Sequence, residues 1–179
     1  MDSTPKILQT RRLRESWPAI SEDDVELPSG AHRSWVRIHL GVSAAVLPVT
    51  TDRRVVLTRE YRHGVRTVVH ALPGGTAKEG ETPEVCARRE LLEETGYEPG
   101  RLLHLYQGNS LTAYLDGTLH LFFAPDCRAT GRKPNPDEVA SVDHLTILSA
   151  LDLARRGEFG SSTVTLAILL ADARGWLQG

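Results

Sequence analysis

Three glutamates stand close together in the chain, at Glu90, Glu93 and Glu94. Their spacing of i, i+3 and i+4 puts them within about 100° of one face of a helix. Carboxylates this close repel one another, and a divalent cation would relieve the repulsion because hard cations such as Mg²⁺ prefer oxygen ligands. Arg89, four residues before Glu93, can hold that carboxylate in place. The pattern fits either a metal site or a solvated acidic face.

The residues around this cluster predict the elements that must position it. Thr82 is a suitable N-cap, Pro83 suits the first helical position, and Gly96 supplies a left-handed stop. The preceding strand ends at Pro73-Gly74-Gly75, where a backbone carbonyl can add an oxygen ligand. We therefore expect a strand end, a glycine loop and an acidic helix to meet at one site.

The rest of the chain predicts a mixed α and β domain. Apolar residues alternate in several short runs, and strands are predicted at 35–40, 42–49, 55–61, 68–72, 101–106, 119–124 and 142–148. A polar loop is predicted at 126–137, and two further helices at 150–156 and 162–174. This order predicts an α+β or mixed α/β sandwich rather than a regular βαβ repeat.

Composition excludes several classes of protein. The length of 179 residues fits one domain, and the net charge of −2 gives no general attraction to nucleic acid or an acidic membrane. The first ten residues contain no apolar signal core, and the apolar run at 166–170 is too short to cross a bilayer. The two cysteines cannot form a disulfide framework. We expect a reduced, cytoplasmic protein with no membrane or nucleic-acid partner.

Other familiar motifs are incomplete. Gly75 and Gly80 have the spacing of a P-loop, but Glu81-Thr82 follows in place of Lys-Ser/Thr. The chain has no G-x-S-x-G elbow, and its seven histidines include no pair at i, i+4. A nucleophilic serine or a zinc site is therefore unsupported.

The spacing around the three glutamates extends into a longer motif. It matches the signature of the Nudix hydrolase family at all seven invariant positions, and the chain resembles that family on this ground. Chance agreement would be on the order of 10⁻⁸. The one departure is Tyr97, where an aliphatic residue is usual. The motif is Gly75-x5-Glu81-x7-Arg89-Glu90-Leu91-x-Glu93-Glu94-x-Gly96.

The resemblance implies a fold and a chemistry. Nudix enzymes share an α/β/α sandwich and use Mg²⁺ or Mn²⁺ to hydrolyse nucleoside diphosphates linked to another group. Here Glu90, Glu93, Glu94 and the carbonyl of Gly74 would be metal ligands. Arg89 would orient Glu93, and Glu81 would support the site. Bound metal would neutralise the pyrophosphate and lower the pKa of the water that displaces one phosphate in line.

The sequence on either side of the motif resembles the ADP-ribose pyrophosphatase branch, through the stretches at 25–30 and 59–63. The resemblance implies that Arg62 binds the diphosphate or the terminal ribose, with a surface ion pair as the alternative. Trp17 and Trp35 occupy the places of aromatics that sandwich adenine, with simple packing as the alternative. Thr112-Ala113 replaces the branch's Pro-Gly pair near the terminal-sugar pocket.

The branch also implies a catalytic base, a dimer and a substrate. Glu138, in the loop at 134–139, is the expected base, with Asp137 or a motif glutamate as alternatives. Residues 1–41 are expected to form an N-terminal β arm used in homodimerisation, ahead of a Nudix hydrolase domain at 42–179. The expected reaction converts ADP-ribose to AMP and ribose 5-phosphate. Another nucleotide sugar such as GDP-mannose, or a non-catalytic nucleotide-sugar sensor, remains the alternative.

Overall fold

The computed structural model describes residues 4–178, so the first three residues of the expected arm, and Gly179, lie outside the described part. Within it the chain forms eleven strands and three helices. The strands are β1 (Lys6–Arg14), β2 (Ala19–Glu26), β3 (His32–His39), β4 (Val42–Thr50), β5 (Arg54–Arg62), β6 (Thr67–Ala71), β7 (Gly74–Thr76), β8 (Tyr97–Glu98), β9 (Leu103–Asn109), β10 (Thr118–Ala129) and β11 (Ser141–Thr146). The helices are α1 (Pro83–Thr95), α2 (Ile147–Arg156) and α3 (Ser162–Ala173).

Eight of these strands form the larger sheet. Its main path runs β11-β5-β4-β10-β8, while β6 pairs with β5, β7 with β4 and β9 with β10. The short strand β7 carries Gly74 and Gly75 and lies antiparallel to β4, with Ala45 opposite Gly74. The glycines of the motif are therefore fixed by pairing with a buried strand.

Alternation along the central strands divides the core into two layers. Leu47 and Val49 of β4 join one cluster with residues of α2 and α3, whereas Ala44 and Val46 join a second cluster with Cys86, Ala87 and Leu91 of α1. Successive side chains of a strand point to opposite faces, so α1 covers one face of the sheet and the other two helices cover the opposite face. The predicted mixed α/β sandwich is confirmed.

Helix α1 begins and ends where the sequence predicts. The Thr82 side chain accepts from the Val85 N–H, Pro83 opens the helix, and Gly96 ends it at φ 73°. The Thr82 side chain satisfies an N–H of the first turn that has no partner within the helix. At the other end, glycine adopts the left-handed C-cap conformation without the steric cost of a Cβ. The helix that presents the glutamates is thus set by its own caps.

Two predicted boundaries were wrong. The strand expected at 142–148 ends at Thr146, because the Thr146 side chain accepts from the Ser149 N–H and starts α2 at Ile147. The loop expected at 126–137 begins only after Ala129, because Arg128 and Ala129 of β10 pair with Glu98 and Tyr97 of β8. The first error overlooked a local cap, whereas the second arises from a strand pairing that a local pattern does not reveal.

The remaining strands form a three-stranded antiparallel sheet in the order β1-β2-β3. The segment before residue 26 reads as polar, yet it supplies two of these strands, with Asp23 opposite Trp35 and Thr10 opposite Asp23. Every residue of β1 is exposed, whereas Ser21, Asp23 and Val25 of β2 are buried.

Proximity of Cα atoms divides the described chain into two units. One combines residues 4–42 with Gly108–Thr118, and the other combines Ser43–Gln107 with residues 119–178. The segment around Asp116 therefore belongs with the three-stranded sheet. The Ile38 N–H of β3 donates to the Tyr114 carbonyl of this segment at 2.8 Å. In the part of the chain that is described, no helix is long and apolar enough to cross a membrane.

Candidate active site

Arg89 is the centre of the acidic cluster on α1. Its guanidinium donates to both carboxylate oxygens of Glu81, at 2.7 and 2.9 Å, to Glu90 at 2.6 Å and to Glu93 at 3.2 Å. Only 18% of the Arg89 side chain is exposed. These bonds raise the pKa of Arg89 further, and the same contact lowers the pKa of Glu81 to about 2. One cation thus contacts three carboxylates, Glu93 among them.

Glu94 has different surroundings from Glu93. It is buried, and one of its oxygens accepts from the Gly74 N–H at 2.8 Å. Burial raises the pKa of Glu94 to about 8, with further contributions from the charges of Glu60 and Glu90. The structure therefore brings Gly74 and Glu94 together, at a position where the ionised form of Glu94 is disfavoured.

Gly74, the first of the two glycines before the helix, is required by close approach. A Cβ on Gly74 would lie 2.5 Å from the Ala44 carbonyl oxygen, and glycine is the residue that lets a backbone come this close to another. A Cβ on Gly75 would meet the carboxylate of Glu90, which lies at the end of a flexible side chain and could move aside.

The donor set fits a hard divalent cation in its chemistry. All candidate ligands are oxygens: three carboxylates on one helix and the backbone beside Glu94. In the side-chain arrangement of residues 4–178, however, no three His, Cys, Asp or Glu are gathered closely enough to hold a metal ion. In this arrangement Arg89 donates to one oxygen of Glu90 and to one oxygen of Glu93.

Arg62 lies at the end of β5 and forms an ion pair there. A terminal nitrogen of its guanidinium lies 2.7 Å from a Glu60 carboxylate oxygen, while 52% of its side chain stays exposed. Glu60 is buried and also accepts from the Thr58 hydroxyl. Sequence reasoning missed Glu60, although Thr58, Glu60 and Arg62 alternate on one side of a predicted strand.

Glu138 lies in an exposed turn at the end of the loop after β10. Its N–H donates to the Asn135 carbonyl at 3.2 Å, and its carboxylate forms no ion pair with any other described residue. The beginning of the loop is fastened to α1, since the Thr130 N–H and hydroxyl both donate to the Gly96 carbonyl at 2.9 Å. Arg132 of this loop lies 3.9 Å from Glu93. The structure does not bring Glu138 into contact with the motif glutamates.

Comparison with known proteins decides the family. The family model described as NUDIX domain matches residues 39–165, which cover the sheet, the acidic helix and the loop after it. The chain belongs to the Nudix family.

Several relatives are similar along most of their length. An ADP-ribose pyrophosphatase of Bacillus subtilis (strain 168) is 30% identical over 159 residues, covering 87% of this chain and 85% of the relative. A methanol dehydrogenase activator of Bacillus methanolicus is 32% identical over 153 residues, covering 82% and 80%. A GDP-mannose pyrophosphatase of Escherichia coli (strain K12) is 30% identical over 139 residues, covering 72% of each.

One solved structure, described as an ADP compounds hydrolase, has the same fold. It superposes with a TM-score of 0.83 at 22% identity and covers 98% of this chain and 96% of its own. The expected Nudix-type fold and the assignment to a family of pyrophosphohydrolases are confirmed by these matches. Members of the family generally use divalent metal ions.

The two candidate stacking residues of this Nudix protein lie in the smaller unit. Trp17 stands between β1 and β2 with 66% of its surface exposed, and Trp35 lies on β3 with 49% exposed. Neither ring has an aromatic or cation–π partner within residues 4–178. Large exposed rings of this kind are suited to stacking on a base.

The smaller unit also contains a serine, a histidine and an aspartate in a chain of hydrogen bonds. Ser21 Oγ lies 2.7 Å from His39 Nε2, and His39 Nδ1 contacts the Asp116 carboxylate. The arrangement resembles a nucleophilic triad in its order of groups. Ser21 is only 1% exposed, so no substrate reaches it. These three residues hold the segment around Asp116 against the three-stranded sheet.

Proposed function

We propose that this Nudix protein hydrolyses the pyrophosphate bond of a nucleoside diphosphate linked to another group, with ADP-ribose as its substrate. Water cleaves the P–O–P bridge and gives AMP and ribose 5-phosphate. The observation that carries the proposal is the arrangement of Glu90 and Glu93 around Arg89, with Glu94 beside the glycine strand on the same helix. The relative named ADP-ribose pyrophosphatase supports the substrate.

The metal assignment follows the oxygen donors of the site. Glu90, Glu93, Glu94 and the Gly74 carbonyl would hold Mg²⁺, with Mn²⁺ as a substitute. A bound divalent cation supplies charge neutralisation of the diphosphate and a water of lowered pKa. Arg89 keeps Glu93 in its orientation through the 3.2 Å contact, and Glu81 fixes Arg89 in turn.

The remaining assigned residues bind substrate or move a proton. Arg62 has an exposed guanidinium, which suits a phosphate because its donors form a planar fork. Trp17 and Trp35 are assigned to the adenine ring. Glu138 is assigned as the base that takes a proton from the attacking water, since it lies exposed in a loop held to the end of α1. Asp137 is the alternative base.

A different nucleotide sugar is the second candidate. The relative named GDP-mannose pyrophosphatase supports it, as does Thr112-Ala113 at the place of the branch's Pro-Gly pair. A sensor without turnover is disfavoured because all the motif acids are present.

The proposal includes a homodimer formed through the arm at residues 1–41 and a cytoplasmic location. The exposed apolar residues of the arm support the dimer: Ile7, Leu8, Leu13, Trp17, Trp35 and Val36. The two cysteines are buried and free, which supports a reducing compartment.

The deciding experiment is a substrate panel with Mg²⁺. ADP-ribose, GDP-mannose, dinucleotides and nucleoside triphosphates are incubated with the protein, and release of phosphomonoester is measured. We expect the highest kcat/KM for ADP-ribose. A preference for GDP-mannose would move the assignment to the second candidate, a preference for triphosphates would contradict the branch, and no turnover of any compound would contradict the enzyme.

Two matched variants link the activity to the acidic helix. Glu93→Gln removes one proposed ligand without changing its shape and should lower kcat by at least about 100-fold. Glu84→Gln, an exposed residue of the same helix that pairs with Arg88, should keep full activity. Circular dichroism should show both variants folded. Near-normal turnover by Glu93→Gln would remove Glu93 from the site.

A further inference from the structure

Glu60 is a buried carboxylate that the proposed chemistry does not use. It lies on β5 with only 7% of its surface exposed. Both of its oxygens have a partner: one accepts from the Thr58 hydroxyl, and the other forms an ion pair with an Arg62 guanidinium nitrogen at 2.7 Å. Thr58, Glu60 and Arg62 thus form a row along one side of the strand, running from the core to the surface.

The charge of Glu60 is costly where it stands. Glu94 is also buried, at 8% exposure, and the two carboxylates are close enough to repel. A glutamine at position 60 would fill the same space and accept the same bond from Thr58 without that repulsion. Among the described residues, the cation that the Glu60 carboxylate pairs with is the Arg62 guanidinium, and a glutamine would lose that pairing of opposite charges.

Arg62 retains binding capacity after pairing with Glu60. The ion pair uses one terminal nitrogen, and within residues 4–178 the guanidinium's other nitrogens make no hydrogen bond. A long arginine side chain on the surface loses rotamer freedom when it binds a phosphate. A buried carboxylate that already fixes one nitrogen removes part of that loss before the substrate arrives.

We propose that Glu60 is a positioning residue: it holds the Arg62 guanidinium so that its remaining N–H groups face the substrate's diphosphate. Thr58 orients the Glu60 carboxylate in turn. This inference rests on the proposed function, because that function assigns Arg62 to the diphosphate. It adds a residue that acts through Arg62 and does not itself touch the substrate.

A double-mutant cycle tests the inference. Glu60→Gln, Arg62→Ala and the double variant are compared for KM and kcat with ADP-ribose and Mg²⁺, and for Kd with ADP-ribose in EDTA by calorimetry. Glu60→Gln should raise KM and Kd about tenfold while kcat changes less. In the Arg62→Ala background it should have no further effect. Additive effects, or an unchanged KM in Glu60→Gln, would overturn the proposal.

Further measurements separate positioning from folding. Glu60→Gln should melt no lower than the wild type, since it relieves the repulsion with Glu94. If Glu60→Gln does not fold, the variant Thr58→Val is used in its place. Thr58→Val should also raise KM in the wild-type background, and it should leave KM unchanged in the Arg62→Ala background. Glu84→Gln is the charge control and should leave KM unchanged.

The same data distinguish this proposal from the proposed function. Wild-type binding of ADP-ribose in EDTA without turnover in Mg²⁺ would contradict the proposed function alone, and the Kd cycle would still decide the role of Glu60. Absence of wild-type binding to both ADP-ribose and inorganic pyrophosphate would contradict the assignment of Arg62 and overturn the role of Glu60 with it.

Discussion

Adjacent glutamates on one helix have opposite surroundings. Glu93 is partly exposed and is held by Arg89, whereas Glu94 is buried and held by the Gly74 N–H. Arg89 already compensates the charge of Glu93, whereas burial, together with the charges of Glu60 and Glu90, disfavours the ionised form of Glu94 and raises its pKa to about 8. A cation is therefore expected to gain more from Glu94 than from Glu93.

Arg89 should be important for stability as well as for orientation. Arg89→Lys keeps the charge but cannot reach Glu81, Glu90 and Glu93 together, because a lysine ammonium lacks the planar fork. We expect the melting temperature of the metal-free protein to fall by roughly 3–6 °C. Arg88→Lys, one residue earlier with an exposed pair to Glu84, should change it little. Equal melting temperatures for the two variants would contradict the central role of Arg89.

Single residues could be predicted from the sequence when their partners are near in the chain. Thr82, Pro83 and Gly96 mark the helix because caps act over four residues, and the contact of Arg89 with Glu93 follows from helical spacing. Glu60 and the link from Ser21 to His39 and Asp116 could not be predicted. Their partners come from strand register and from distant segments, which local patterns do not specify.

At the scale of elements, Gly96 connects the helix to the loop that follows β10. It ends α1 in the left-handed region, and a Cβ there would overlap the Arg132 carbonyl. The same glycine carbonyl accepts two bonds from Thr130. The loop that carries the proposed base is therefore linked to the end of the acidic helix through the Gly96 carbonyl and Thr130.

The variant Gly96→Ala should affect both stability and turnover. The backbone conformation alone costs about 1–2 kcal/mol for a residue with a Cβ, and the overlap with Arg132 must also move the loop. Gly157→Ala is the matched control, since Gly157 ends α2 at φ 69° with open space around it. Urea unfolding should show a larger loss for Gly96→Ala, and only this variant should lower kcat. Equal losses and unchanged kcat would contradict the coupling.

The three-stranded sheet is held by a charge inside it. Asp23 is 6% exposed and accepts two bonds from Arg37, at 2.9 and 3.1 Å, and one from Thr10 at 2.6 Å. These bonds lower the pKa of Asp23 below its ordinary value of 3.8. A carboxyl with a lowered folded pKa stabilises the protein fully above its unfolded pKa and loses that contribution as the pH falls through the folded value.

Asp23→Asn should therefore destabilise the protein in a pH-dependent way. At pH 7 we expect a loss of roughly 1–3 kcal/mol in the free energy of unfolding. The difference from the wild type should shrink as the pH falls below about 4, because Asp23 becomes protonated first in the unfolded chain, where its pKa is higher. Asp24→Asn, an exposed neighbour on the same strand, should show neither effect. Urea unfolding at pH 7 and pH 3.5 measures the difference in the free energy of unfolding between the wild type and Asp23→Asn. An equal difference at both pH values would contradict the role of the Asp23 charge.

At the scale of the whole molecule, the sandwich could be predicted from the sequence. The sandwich follows from the alternation of strands and helices, which is local. The division into units depends on Gly108–Thr118, a segment far along the chain that contacts the arm through the Ile38 N–H and Tyr114. The role of the arm in a dimer stays a prediction.

The surface of the arm makes that prediction testable. Strand β1 is the outer strand of its sheet, and all nine of its residues are exposed, including Ile7, Leu8 and Leu13. An exposed apolar edge strand favours association with another chain. We expect sedimentation to give twice the chain mass of 19.7 kDa for the wild type, and the single-chain mass for the double variant Ile7→Lys, Leu13→Lys. Leu148→Lys changes a residue of α2 that is 79% exposed and should remain dimeric. A monomeric wild type, or a double variant that stays dimeric, would exclude β1 as the dimer interface.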